Sequence, residues 1–399
     1  MVEILISYIL VKNFDKGEEM LIGIDLLWVR PKICGGTESA TRNLINGFGM
    51  YDDKNEYMLF VGKDTAETFA EYKKYPNMKI EICNTESLKR VKRIAWENSK
   101  LDKLARSLNV DLMFIPVYSK PNSLSEEKGG IPYITTIYDL QALHFPQYFS
   151  KTRILFFKRS WKKACDTSAK IITSSNFSKE DIIEHFPSAK GTISVIYSPI
   201  TISDICENDT DSKDRSLSEN VLAKYGIEKD KYFYTLSSML PHKNLETLIK
   251  TMKLLKESYD TKLVVSGVGG NKDSFNKCVK EAGVENLVID TGFVSDEERD
   301  VLYENCSLFV FPSTFEGFGM PPVEAMMKGA KVVTTRCACI EEITQGKATY
   351  VDDPLNPEEW ALKIKEAALL EEKKYDFLEY DLKEVTLKYI DVFEKAKKS

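Results

Sequence analysis

From Met20 onward, short apolar runs alternate with longer stretches whose apolar residues return every three or four positions. "LIGIDLLWV", "EYMLFVG", "MKIEIC", "DLMFIP", "YITTIYD", "AKIITSS" and "ISVIYSP" predict strands. "ESATRNLINGF" and "WENSKLDKLARSL" between them predict amphipathic helices. A polar, acidic passage, "SDICENDTDSKDRSLSEN", then interrupts the rhythm and reads as a linker or surface excursion over 201–227. A second series follows, with strands predicted at "YFYTLSS", "KLVVSG", "NLVIDTG", "SLFVFPS", "KVVTT" and "ATYVDD". Its intervening helices are "ETLIKTMKLLKESY", "KDSFNKCVKEAG", "SDEERDVLYENC" and "PVEAMMKG", and everything after "PEEW" reads as helical throughout.

Strand–helix alternation of this kind gives a doubly wound, mostly parallel sheet, and two series give two Rossmann-like domains facing across a cleft. The predicted division is 20–200 for the first domain and 228–375 for the second, with a final helix over 376–399 returning to the first. The opening "MVEILISYIL" is apolar but too short to span a bilayer, and it lacks a basic flank and a cleavage site. A purine-rich coding of "KGEE" ahead of Met20 would serve as a ribosome-binding site. Residues 1–19 are therefore expected to be a non-native extension of a chain that starts at Met20.

Composition narrows the chemistry. A net charge of −6 provides no basic balance to neutralise phosphates, so nucleic acid is not an expected partner. The three histidines, His144, His185 and His242, never take a ligand spacing, and Cys337-x-Cys339 has no second pair nearby, so no metal site is expected. Scattered cysteines fit a reduced, cytoplasmic setting.

Ligands in such sheets lie beyond the carboxyl ends of the strands, which directs attention to the loops. In "FPSTFEGFGMPPVEAMMKG", Glu316 follows a strand and Glu324 lies in or near the first turn of the next helix. The amides of Phe318, Gly319 and Met320, with Gly317 before them, open a helix N-terminus suited to an anionic or hydroxyl-rich ligand. Taken alone, the loop fits equally a helix cap whose acids match the dipole. In "YTLSSMLPHKNLETLIK", Lys243 lies just ahead of a helix with Asn244 at its cap position, either a phosphate-binding charge or a solvated surface lysine. In "VRPKICGGTESATRNLINGF", Gly35 and Gly36 permit either a close backbone approach to a ligand or a plain tight turn. "KLVVSGVGGNKDSF" has Lys272 where a dinucleotide fingerprint needs its third glycine, which weakens a dehydrogenase reading. "TTIYDLQALHFPQYF" runs from a strand into Tyr138-Asp139.

Taken together, Glu-x7-Glu, the lysine after the first strand of the second series and the N-terminal double glycine resemble the family 4 retaining glycosyltransferases of GT-B fold. "GVGGNKDSF" and "TGFVSDEE" match as well, and the likeness runs from about Met20 to the end. The resemblance implies a nucleotide-diphosphate sugar as co-substrate, with no cofactor and no metal. It places Glu324 on the ribose hydroxyls, Glu316 beside the donor sugar and Lys243 on the diphosphate. The Phe318, Gly319 and Met320 amides would meet sugar and diphosphate, Gly35-Gly36 would approach from the other domain, and the base would lie near Val294. Three positions depart from the pattern. Ser238 and His242 stand where branches of the family carry arginine, and Tyr138 replaces the histidine that usually precedes Asp139 and contacts the donor sugar.

"YDLQALHFPQYFS" most resembles the mannosyltransferase-like branch of bacterial surface-polysaccharide synthesis. This implies GDP-mannose first and a UDP-sugar second as donor, with a glycan or lipid-linked saccharide as acceptor. The alternatives are a catalytically weakened nucleotide-sugar-binding subunit and a GT-B-fold sugar-nucleotide epimerase. Two basic, aromatic stretches, "LKRVKRIAWENSKLDKLAR" and "KTRILFFKRSWKKACDTSAK", lead to an expected weak contact with anionic membrane on the cytoplasmic face.

Overall fold

The computed structural model describes residues 19–31, 35–117, 130–201, 211–256, 260–371 and 373–397. The expected extension over 1–19 thus falls, apart from Glu19, outside the described residues.

Every expected strand forms. The first sheet contains β1 (Leu21–Asp25), β2 (Glu56–Gly62), β3 (Met78–Cys83), β4 (Leu112–Ile115), β5 (Tyr133–Thr136), β6 (Lys170–Thr173) and β7 (Ile193–Val195). They pair in the order β3-β2-β1-β4-β5-β6-β7, all parallel. The second contains β8 (Tyr232–Leu236), β9 (Lys262–Ser266), β10 (Val288–Gly292), β11 (Leu308–Phe311), β12 (Val332–Thr335) and β13 (Thr349–Val351), ordered β10-β9-β8-β11-β12-β13 and again parallel. Helices cover both faces, which is why "LMFI" and "LFVF" are buried at every position rather than alternately. In each sheet the strand order reverses beside the first strand, between β1 and β4 and between β8 and β11. That reversal opens a crevice at the strand ends, and the two crevices face each other.

The C-terminal stretch is not one helix. Asn356 caps the helix Pro357–Ala368, its side chain accepting from the amides of Glu358 and Glu359 at 3.0 and 3.3 Å. The chain then leaves helical geometry because Phe377 and Tyr380 are drawn into the core of the second domain. There the Tyr380 hydroxyl donates to the Ile343 carbonyl at 2.6 Å. Asp381 starts a new helix, Leu382–Lys397, by accepting from the amides of Lys383 and Glu384. This helix lies on the first domain. Tyr389 and Phe393 pack their rings 5.3–6.0 Å from Phe48 and Phe114.

The polar passage is also more ordered than its composition implies. Asp211–Tyr225 is a helix, and Val221 and Ile227 are buried in the second domain's core. The buried apolar residues lie toward its C-terminal end, so the average over the passage concealed an anchored end.

The aromatics of the second basic stretch mostly face inward. Phe157 and Trp161 are 5% and 3% exposed and stack on each other at 5.3 Å, while Phe156 and Leu155 remain at the surface. Trp96 packs against the core beneath the first sheet. The expected aromatic membrane face is therefore reduced to a smaller patch, because a helix buries one stripe and these rings occupy it.

The aromatic contact between the last helix and β4 makes a direct prediction. Phe393→Ala should lower the unfolding free energy by about 3–5 kcal/mol, the usual loss for a buried Phe. Urea denaturation of wild type and variant measures it, and a loss under about 1 kcal/mol would show that the helix contributes little.

Candidate functional site

The two crevices enclose one cavity of about 840 Å³, within the range of small-molecule sites. Its walls come from both domains. β11 ends at Phe311 and the chain turns through Glu316 and Gly317 to Gly319, whose φ of +80° suits a residue without Cβ. The helix Met320–Met327 begins there, and Glu324 lies just past its first turn, near it as expected.

Gly317 sits where the domains touch. Its carbonyl accepts from the hydroxyls of Ser174 and Ser175 at 2.9 and 3.2 Å. A Cβ there would come within 2.8 Å of the Asp139 carboxylate and 3.0 Å of the Tyr138 carbonyl. Gly36, at the start of the helix Gly36–Tyr51, faces Met320 across the cavity mouth. Glu342 of the second domain accepts from the amides of Asn176 and Phe177 at 2.8 and 3.1 Å, so it caps a helix of the first domain.

Lys243 ends the short turn Pro241–Lys243 after β8. Its Nζ donates to Glu316 Oε1 at 2.6 Å and lies 5.7 Å from the centroid of the Phe311 ring. Both groups are largely covered, which strengthens the pair relative to one in open solvent. Asn244 occupies the cap position in a left-handed conformation, but its side chain accepts from the Thr247 hydroxyl and donates to the Pro354 carbonyl instead of capping an amide.

Asp139 accepts from the Gln141 amide at 2.9 Å. Burial holds its carboxyl above the usual range, and the negative charge of Glu316 adds to the effect. Burial also raises Glu324, against the Arg299 guanidinium, whose Nε lies 4.0 Å away, and a 3.0 Å hydrogen bond donated by Tyr303. Glu324 is thus mostly enclosed, with its carboxylate supported from behind, and not in an open cleft. The Tyr138 hydroxyl is pushed up to about 12 by burial. It lies beside Thr41 without a hydrogen bond of proper geometry among the described residues.

Of the expected site residues, Gly36, Tyr138, Asp139, Ser238, Lys243, Glu316, Gly317, Phe318, Gly319, Met320 and Glu324 line this cavity. Gly35, Val294 and His242 do not. Gly35 takes the N-cap position behind Gly36. Val294 packs against the second domain's core. His242 cannot replace the missing arginine. Burial, followed by the neighbouring Lys243 charge, pushes it down to about 4, so it is neutral at pH 7. Its backbone carbonyl instead accepts from the Thr314 amide at 2.7 Å and so fixes the loop ahead of Glu316.

Sequence reading missed Arg299, Arg42 and Ser237. Arg299 and Arg42 bring two further cations to the lining, one from each domain. Ser237 offers a buried Oγ with no partner among the described residues. Arg299 lies in the "SDEERD" run that was read only as a helix start, and nothing local separated it from a surface arginine.

Comparison with known proteins agrees with this architecture. A model of group 1 glycosyl transferases matches residues 218–383, and one of Glycosyltransferase Family 4 matches residues 34–204. The chain belongs to these family 4, group 1 glycosyltransferases of GT-B fold. It is 30% identical over 224 residues to O-antigen chain mannosyltransferase B of Escherichia coli, covering 55% of this chain and 57% of that one. It is 26% identical over 230 residues to O-antigen chain mannosyltransferase RfbU of Salmonella typhimurium, covering 58% of this chain and 59% of that one. The chain thus spans less than three-fifths of the length of these curated relatives. Among solved structures, sucrose-phosphate synthase of Thermosynechococcus elongatus superposes with a TM-score of 0.68 at 14% identity, covering 94% of this chain and 98% of that one.

The neutral His242 gives this site a pH signature. A histidine depressed in the folded state binds its proton more readily when unfolded, so its contribution is complete above about 6.5 and is lost as pH falls toward about 4. His242→Gln should flatten the decline in urea midpoint between pH 7 and pH 5. An unchanged slope in the variant would place the acid sensitivity elsewhere.

Proposed function

We propose that this chain is a retaining, metal-independent hexosyltransferase. It would move a hexose from a nucleotide-diphosphate sugar, GDP-mannose first and a UDP-sugar second, to a glycan or lipid-linked saccharide of a surface polysaccharide. The observation that carries this reading is a single cavity joining Lys243, Glu316, Glu324 and a helix N-terminus from one domain to Tyr138-Asp139 and Gly36 from the other. The mannosyltransferase relatives favour mannose as the sugar.

In this reading Glu324, steadied by Tyr303 and Arg299, accepts from the two ribose hydroxyls. The diphosphate draws Lys243 away from Glu316 and lies against the amides that open the Met320–Met327 helix. As the bond between anomeric carbon and phosphate oxygen breaks, negative charge gathers on the leaving diphosphate, and Lys243 and those amides stabilise it more than the ground state. The acceptor oxygen bonds to the anomeric carbon on the same face, and its proton passes to the departing phosphate oxygen. Glu316, released from Lys243, lies beside the donor sugar. Tyr138, in the histidine's place, lines the same cavity, but its hydroxyl is buried beside Thr41, so the contact that the histidine would make with the sugar is not reproduced. Both domains must close around the donor, which excludes water from the reacting centre.

Lys243→Ala should cut turnover of GDP-mannose by about 10²–10³-fold, the usual loss for one group aimed at developing charge. EDTA should leave wild-type activity intact. Transfer assays with a GDP-, UDP-, ADP- and dTDP-sugar panel test this, and either an active Lys243→Ala variant or EDTA-abolished activity restored by magnesium would overturn it.

We also place the protein in weak, salt-sensitive contact with the cytoplasmic membrane face. Among the described residues, no helix is long and apolar enough to cross a membrane. Leu88, Val91, Leu155 and Phe156 are exposed beside cations, and the Arg90 guanidinium lies 5.9 Å from the Phe156 ring. Co-sedimentation with phosphatidylglycerol vesicles at low salt, lost at high salt, is the expected result. No binding at low salt would remove this contact.

A further inference from the structure

A second cavity, of about 400 Å³, lies between the helices Lys151–Thr167 and Asn176–His185. Its lining is Leu143, Lys158, Arg159, Lys162, His185 and Phe186, and none of these lines the larger cavity. We propose that it binds the phosphate of an amphiphile, a molecule joining a phosphate to an apolar chain.

The chemistry of the lining selects this class. Three side chains are lysine or arginine, and hydrogen bonds from such cationic groups to phosphate are among the stronger ones proteins make. Lys162 also donates to Asp166 at 2.6 Å, and Ser188 holds the other oxygen of that carboxylate. The acids facing the cavity's helices, Asp166 and Asp181, are thus each engaged. His185 Nδ1 is held by the Asp181 carbonyl and carboxylate at 3.0 and 3.1 Å, so Nε2 is the nitrogen that can meet a ligand.

Between the cations the surface is apolar. Leu143 and Phe186 form it, and the lysine stems extend it. A bare inorganic anion would leave this floor without a partner. Leu155, half exposed, stands one turn ahead of Lys158 and Arg159 on the same helical face, with Phe156 beside it. An apolar chain leaving the cavity would run onto these two residues.

The cavity also connects to the larger one through side chains. Asp181 receives His144 Nε2 at 2.9 Å from both oxygens, and the His144 ring lies 5.1 Å from that of Phe315, the residue before Glu316. The proposal does not rest on the transferase reading, since its ligand and residues are separate.

Calorimetric titration of the whole chain with octyl phosphate, octyl glucoside and inorganic phosphate tests it. Octyl phosphate below its micelle concentration should bind about ten-fold or more tightly than either of the others. The double variant Lys158→Ala/Arg159→Ala should lose about ten-fold of that affinity, in line with the removal of charged hydrogen bonds, while its GDP affinity stays unchanged. Equal binding of inorganic phosphate would leave a plain anion site, and equal binding of octyl glucoside a plain apolar one. Undiminished octyl phosphate binding in the double variant would put the ligand elsewhere. Any of these three outcomes overturns the proposal. Failure to bind GDP with intact octyl phosphate binding would instead count against the transferase reading alone.

Discussion

The last helix fixes where everything else lies. Tyr389 and Phe393 hold it against Phe48 and Phe114 of the first domain, although the chain has just completed the second. The backbone must therefore cross between domains twice. The crossings meet where the Ile200 amide donates to the Tyr380 carbonyl at 2.9 Å. Two segments of chain in contact there tie the domains together at one point beside the cleft, where Ile200 itself lines the cavity. A precise site assembled from two independently folded halves depends on this constraint, because the halves share few other covalent means of registration.

Charge is concentrated where the two domains face each other across the cavity. Asp139 and Glu316 approach from opposite domains, and the Glu316 charge adds to the burial that disfavours ionisation of Asp139. Lys243 offsets this on one side and Arg299 does the same for Glu324 on the other. The unliganded cleft thus balances its acids with its own cations, and those cations are the groups an anionic ligand would seek. Glu342 adds charge-dipole contacts at the exposed rim, while Ser174 and Ser175 add neutral hydrogen bonds that are buried between the domains.

Periodicity carried most of the fold because parallel strands covered on both faces are apolar nearly throughout, while the edge strand Met78–Cys83 shows the alternation of a half-covered one. The same logic failed where apolar residues were sparse or clustered at one end, as in the helix ending at Tyr225. It failed again where tertiary burial overrode local helix propensity, as at Phe377 and Tyr380. At the site, the glycines and acids of the Glu316–Glu324 loop stood out because such residues together are costly unless used. Arg299 and Ser237 did not stand out, since Ser237 reaches the cavity only because β8 packs beside β11, and Arg299 reaches Glu324 only because the helix Asp296–Asn305 packs against Met320–Met327. His242 shows the converse, a residue whose type pointed to charge and whose burial removes it.

Gly317 carries a consequence for engineering. The gap between domains at this position is narrower than one methyl group, bounded by Asp139 and Tyr138 on the far side. Side-chain size at 317 therefore works as a spacer that sets the aperture between the halves. Alanine, valine or a larger residue would wedge them apart by graded amounts without touching either hydrophobic core. A set of such variants would provide trapped open forms for crystallisation, with the width of the mouth chosen by the residue installed.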